Sequence, residues 1–206
     1  MDFSDYWNKT HRRKFSGKIM YDNWLDKYES ILSNCKTKIL DLGAGTGNNT
    51  LYLTRKGFKV ISTDYSEVAL EIIENNISNA EVQFVDISQT LPFGNDTFDV
   101  IVADLCLHYF DNETTKKIMN EIKRVLTPKG YLFARVNSVD DKNHGAGQGE
   151  KLEDNYYFVE GYNKRFFSIE DAKNYFSIIG DVNAFESSMM RYSKPKEVIE
   201  ISVKKI

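Results

Sequence analysis

The chain has 206 residues of even composition, with 27 basic against 30 acidic side chains and a formal charge of −3. A length of this order buries a core without disulfides or metals, and the near-balanced charge supplies no broad footprint for nucleic acid. Cys35 and Cys106 sit in apolar stretches and fit a reduced cytoplasmic protein, and no apolar run approaches membrane-spanning length.

In chain order, Tyr6-Trp7-Asn8-Lys9 reads as a looser segment ahead of an amphipathic helix that places Trp24, Leu25, Tyr28, Ile31 and Leu32 on one face. Tyr6 and Trp7 either fill a sheet edge or form a lid over a ligand. The basic run His11-Arg12-Arg13-Lys14 reads as a solvated helix face.

Next comes an apolar run that ends in an acid and then in three alternate glycines: Ile39-Leu40-Asp41-Leu42-Gly43-Ala44-Gly45-Thr46-Gly47. A buried strand, a glycine turn and a helix over 48–56, stopped by Gly57, form the opening unit of a nucleotide-binding α/β domain. Further strands are predicted over 58–64, ending in Asp64, and over 82–86, ending in Asp86. Between them Ser66 caps a helix with Glu67 in its first turn. Residues 98–104 are nearly all apolar and end in Asp104, which predicts a strand covered on both faces. A helix over 113–126 leads to a fifth strand over 131–136. The pattern breaks down over 137–167 into Asp, Gly, Asn and Tyr, predicting a long functional or mobile loop. A helix over 168–179 and two closely spaced strands over 181–186 and 197–203 complete the chain.

Alternating strands and helices predict an α/β fold with a mostly parallel seven-stranded sheet, helices on both faces and an antiparallel C-terminal hairpin. One domain spans 1–206, divided into an N-terminal helical lid (1–36), a cofactor-binding core (37–136), an inserted substrate-side loop (137–167) and a C-terminal helix and hairpin (168–206).

Ligands of open parallel sheets bind beyond the carboxyl ends of the strands, so Asp41, Asp64, Asp86 and Asp104 are expected to line one crevice. A dinucleotide fingerprint needs its third glycine where Asn48 stands, and no Gly-Lys-Ser/Thr phosphate loop is present. Asp41 repels a diphosphate and favours an ammonium group. Each acid alone has another reading, since Asp commonly caps the helix or turn after a strand.

Taken together, the motifs resemble the class I S-adenosylmethionine-dependent methyltransferases, with the match running over 38–136; the fold implied is Rossmann-like. The resemblance implies S-adenosylmethionine as cofactor and S-adenosylhomocysteine as product. Asp41, Gly43, Ala44, Gly45 and Gly47 would seat the methionine part and Asp64 the ribose hydroxyls. Tyr65, Asp86 and Ile87 would meet the adenine, with Asp104 and Leu105 completing the cofactor site. Asp104-Leu105-Cys106-Leu107-His108-Tyr109-Phe110 looks like the family's fourth motif in its small-molecule form, loosely similar to the tellurite-resistance type. His108 is then the candidate base, or else packs and hydrogen-bonds; Cys106 is expected to be a buried small apolar residue. The implied partner is a small-molecule methyl acceptor held by the two flanking segments. A membrane is not expected, nucleic acid is disfavoured, and no metal-site signature is matched. The alternatives are an RNA or protein methyltransferase and a module that binds the cofactor or its product without turnover.

Overall fold

A computed structural model describes residues 3–191 and 193–206. The chain opens with helix α1 (Phe3–Lys14), a 3-10 turn (Trp24–Tyr28) and a single helical turn α2 (Glu29–Leu32). The core then alternates β1 (Ile39–Leu42), α3 (Asn48–Arg55), β2 (Val60–Asp64), α4 (Glu67–Asn76), β3 (Glu81–Phe84), β4 (Phe98–Asp104), α5 (Asn112–Val125) and β5 (Leu126–Asn137). Strands β6 (Glu150–Glu153), β7 (Tyr156–Val159) and β8 (Tyr162–Arg165), helix α6 (Ile169–Phe176), and strands β9 (Gly180–Arg191) and β10 (Lys194–Lys205) follow.

The main sheet has seven strands in the order β3-β2-β1-β4-β5-β10-β9. The first five are parallel, while β10 runs antiparallel to both β5 and β9. The predicted α/β sheet with its C-terminal hairpin is therefore present, and the order reverses between β1 and β4, where the crevice opens.

Period-two alternation sorts each central strand onto two cores. Leu40, Leu42, Ile101 and Ala103 face the layer of α5 and α6, packing with Ile118, Met119, Ile122 and Phe176. Ile39, Val100 and Val102 face the other layer, with Tyr52, Leu53, Trp24, Leu25 and Tyr28. Asp41 shares the face of Ile39, and this puts its carboxylate under α3 rather than in solvent. Local capping fixes the helix starts. Ser66 Oγ accepts from Ala69 N–H at 3.2 Å, Asp111 Oδ1 accepts from Thr114 N–H at 2.7 Å, and Ser168 and Asp171 form a reciprocal capping box.

Three regions differ from the sequence expectation. Residues 6–9 lie inside α1, whose Asp5 at the start and His11, Arg12, Arg13 and Lys14 at the end match the helix dipole. The expected single helix over 24–32 is instead a 3-10 turn and one α turn. Its tertiary anchors decide the geometry: Trp24 Nε1–H donates to Asn49 Oδ1 at 2.9 Å, Tyr28 OH donates to Glu200 Oε1 at 2.7 Å, and the Tyr28 ring stacks on Phe133 at 4.2 Å.

The span 137–167 is not a structureless loop. After a short 3-10 turn (Lys142–His144) it folds into a three-stranded antiparallel sheet of β6, β7 and β8. Glu160 and Gly161 both take positive φ, 56° and 91°, as a tight two-residue hairpin turn requires.

Candidate active site

The glycine turn is built by close packing as much as by openness. Gly43, Gly45 and Gly47 all have positive φ. A Cβ on Gly43 would stand 2.4 Å from Cys106 Cβ, and one on Gly47 would stand 2.8 Å from Ile73 Cγ1. Only Gly45 faces the crevice, where an added Cβ would meet nothing nearer than His11 Cε1 at 3.6 Å. Ala44 is buried, and its N–H donates to Thr63 C=O at 2.8 Å, which ties the turn to β2.

Asp41 lies wholly buried at the foot of the turn. Thr50 Oγ1 donates to its Oδ2 at 2.7 Å, whereas Oδ1 is buried with no hydrogen-bond partner among the described residues. Burial pushes its carboxyl up to about 7, the Thr50 hydrogen bond opposes the shift, and the Asp104 and Asp64 charges add to it. An ionised oxygen left unpaired in such a place is costly, so this atom calls for a cationic or donating ligand.

Asp64 stands across the turn. Gly45 N–H donates to its Oδ2 at 2.8 Å and Ser66 N–H to its Oδ1 at 2.9 Å. Burial pushes its carboxyl up to about 6 against those backbone donors. Tyr65 packs on Phe84 with ring centroids 5.2 Å apart, at the outer end of β3. Val85 N–H donates to Asp64 C=O at 3.0 Å, bringing Asp86 and Ile87 beside them. Asp86 Oδ1 accepts from Ser88 N–H at 2.9 Å and from its hydroxyl at 2.7 Å, leaving the half-buried carboxylate a free oxygen edge.

Asp104 departs from the expected row of four acids. Both of its oxygens are engaged by Arg135, through Nε and Nη2 at 2.7 Å each, and Asp22 Oδ2 accepts from the same guanidinium at 2.7 Å. Leu105 N–H is also spent, on Arg135 C=O at 2.9 Å, and Leu105 has a φ of +56°, a strained value for this residue. Three carboxylates therefore remain open to a ligand.

Cys106 Sγ donates to Leu42 C=O at 3.0 Å, and burial pushes its thiol well above the ordinary range, which makes it a packing residue. His108 is 3% exposed, and its Nδ1 is buried with no hydrogen-bond partner among the described residues. Burial, followed by the charges of Lys196, Lys164 and Arg191, holds it well below the usual imidazole range. It is thus neutral near pH 7 and a weak proton acceptor.

Helix α1, within the segment expected to form an N-terminal lid, lies over the crevice through contacts that the sequence does not mark. Asn8 Oδ1 accepts from Ser66 Oγ at 2.7 Å and from Val68 N–H at 3.3 Å, docking α1 on the start of α4. The Trp7 ring lies 5.1 Å from Tyr109 and 6.3 Å from Tyr162, and Tyr6 lies 5.1 Å from Tyr162. Helix α1 thereby spans from α4 to the loop after β4 and to β8. Thr50, Asn8 and Tyr162 are functional-site neighbours that no motif marks. Among the described residues, no group of three or more His, Cys, Asp or Glu side chains could hold a metal ion, and no helix is long and apolar enough to cross a membrane.

Residues 39–130 match the family described as "Methyltransferase domain". Over this stretch, from β1 into β5, the chain is similar to methyltransferase domains. An uncharacterized methyltransferase from Synechocystis is 34% identical over 109 residues, covering 53% of this chain and 50% of that protein. The chain thus spans about half the length of the curated relatives it matches. Among solved structures, an S-adenosylmethionine-dependent methyltransferase from Methanosarcina mazei superposes with a TM-score of 0.73 at 20% identity, over 90% of this chain and 99% of that one. TehB from Haemophilus influenzae gives a TM-score of 0.66 at 19% identity, over 98% and 67%. The class I resemblance carried by Asp41–Gly47 and its companions is borne out. The matched residues cover the glycine turn and the ends of β1 to β4; the roof and the β6–β8 sheet lie outside them.

Proposed function

We propose that the chain is an S-adenosylmethionine-dependent methyltransferase that transfers a methyl group to a small-molecule acceptor by direct displacement. One observation carries this reading. The unpartnered, buried Asp41 Oδ1 lies at the foot of a glycine turn whose Gly45 faces the crevice, with Asp64 opposite. A ligand with an ammonium group and a ribose but no diphosphate matches these groups. Asp41 takes the ammonium, directly or through water, Asp64 the ribose hydroxyls, and Tyr65, Asp86 and Ile87 the adenine.

When bound, the cofactor supplies a methyl already activated on a sulfonium. The chain's task is then alignment and exclusion of water, and positioning of this kind is worth about 7–11 kcal/mol of barrier. Helix α1, with Trp7 against Tyr109 and Tyr162, closes over the mouth, which favours a small acceptor over a polymer. His108, neutral and buried, orients the acceptor rather than carrying a full proton charge.

Incubation with methyl-labelled S-adenosylmethionine and a cell extract tests the reading. Label is expected in the small-molecule pool. Label confined to RNA or protein contradicts the acceptor class, and no label despite tight product binding points to a module without turnover.

The acids add a pH prediction. Asp41 and Asp64 titrate near 7 and 6 in the folded chain against an ordinary 3.8, so the folded state holds their protons longer. Without ligand, stability therefore falls as pH rises from about 4 to about 7. An ammonium against Asp41 favours its ionised form. Binding of S-adenosylhomocysteine near pH 6.5 should then release protons, so the calorimetric enthalpy varies with the ionisation enthalpy of the buffer. Binding with no such variation removes Asp41 from the site.

A further inference from the structure

Arg135 of β5 is 4% exposed and grips the turn that follows β4. The strand register sets it beside Asp104, so the two side chains stand on one face of the sheet. Its Nε and Nη2 donate to the two Asp104 oxygens at 2.7 Å each, and its C=O accepts from Leu105 N–H at 2.9 Å. Leu105, with its φ of +56°, is thus held by its own amide and through the side chain of the residue before it. Cys106, next in the chain, fills the space that a Cβ on Gly43 would need. The turn after β4 is therefore wedged between Arg135 and the glycine turn.

The same guanidinium reaches the segment that descends from the roof. Residues 15–23 leave α1 through Gly17, whose φ is +84°, and bury Ile19 beside Ala44, Ile73 and Ile77, against the glycine turn. They end at Asp22, whose Oδ1 accepts from Trp24 N–H at 3.2 Å and whose Oδ2 accepts from Arg135 Nη2 at 2.7 Å. The Trp24 ring lies 4.5 Å from the guanidinium carbon. A buried cation with two carboxylates is costly to desolvate, and apolar side chains of similar volume fill a core as well or better. A planar fork that serves two carboxylates and an aromatic face at once does what apolar packing cannot.

We infer that Arg135 is a positioning residue of the cofactor site, which holds the strained turn at Leu105 against the glycine turn and fastens the roof segment to it through Asp22. It acts through Asp104, Leu105 and Asp22 rather than on the ligand. Cofactor binding at the glycine turn and docking of the roof are thereby coupled through one side chain. This inference rests on the proposed methyltransferase reading, whose cofactor side it extends.

Binding of S-adenosylhomocysteine can be measured by calorimetry, and the indole N–H signal of Trp24 followed by NMR, at a temperature where each variant is fully folded. In the parent chain the ligand is expected to shift the Trp24 signal saturably. Arg135→Lys keeps the charge, but a single ammonium cannot span both Asp104 oxygens and Asp22. It should weaken binding by about tenfold or more and abolish the Trp24 shift at saturation. Asp22→Ala cuts the roof arm alone, at a side chain 23% exposed. It should weaken binding by about fivefold and likewise remove the shift. No Trp24 shift in the parent, parental affinity in Arg135→Lys, or a shift that persists in both variants overturns the inference while product binding stands. Where the Arg135 variant does not fold, parental affinity or a persisting shift in Asp22→Ala overturns it. Failure of S-adenosylhomocysteine to bind the parent instead overturns the functional reading, and the role of Arg135 with it.

Discussion

Asp64→Ala is expected to weaken S-adenosylhomocysteine binding by about 1.5–3 kcal/mol, roughly 10- to 150-fold. The carboxylate does two things at once. It ties Gly45 and Ser66 through their N–H groups at 2.8 and 2.9 Å, and in the proposed site its remaining lone pairs would accept from the ribose hydroxyls. The two contributions separate with an analogue that lacks both ribose hydroxyls. That analogue should bind the variant and the parent alike if the hydroxyls are what Asp64 holds. Unchanged affinity for S-adenosylhomocysteine itself would refute the role. An equal loss for both ligands would reduce Asp64 to a fastener of the turn. Asp64→Asn is not a mild substitute, because its amide would set a donor against the Gly45 or the Ser66 N–H.

Gly43→Ala should be the most destabilising single change in the turn. The new Cβ would meet Cys106 Cβ at 2.4 Å and Sγ at 2.9 Å, on a backbone with φ of +68°. The left-handed backbone costs about 1–2 kcal/mol for an L residue, and overpacking adds about 1–3. Together they lower the melting temperature by roughly 5–15 °C in a chain of this size. Adding Cys106→Gly should relieve the overlap but not the backbone term. Gly45→Ala provides the contrast, since its Cβ would meet only His11 at 3.6 Å. It should lose about 1–2 kcal/mol of stability and proportionately more cofactor affinity. Equal melting points for the two alanine variants would contradict the packing account.

How much of this was readable from residues alone follows from how local each cause is. The glycine turn, Asp41, Asp64 and Ser66 lie within a few positions of the features they control, and their elements form where the spacing predicts, whereas β3 ends at Phe84, two residues before Asp86. Asp104 fails that test. Its partner Arg135 is 31 positions away, on the neighbouring strand, and no periodicity announces the pairing. The unpartnered oxygen of Asp41 is likewise a property of three-dimensional burial, as is the depressed basicity of His108. The β6–β8 sheet was missed because its strands have four residues each, too short to establish a period among charged and aromatic side chains. Tyr156-Tyr157-Phe158-Val159 before Gly161 was the one available signal. In α1, Tyr6 and Trp7 disguised a helix whose worth lies in what it covers.

The central claim, that the glycine turn seats the sulfonium methyl donor, is tested most directly by calorimetric titration of the protein with S-adenosylhomocysteine and, separately, with NAD. The account predicts saturable single-site binding of S-adenosylhomocysteine that is weakened in Asp64→Ala, and no heat from NAD. Binding of NAD with none of S-adenosylhomocysteine would contradict it.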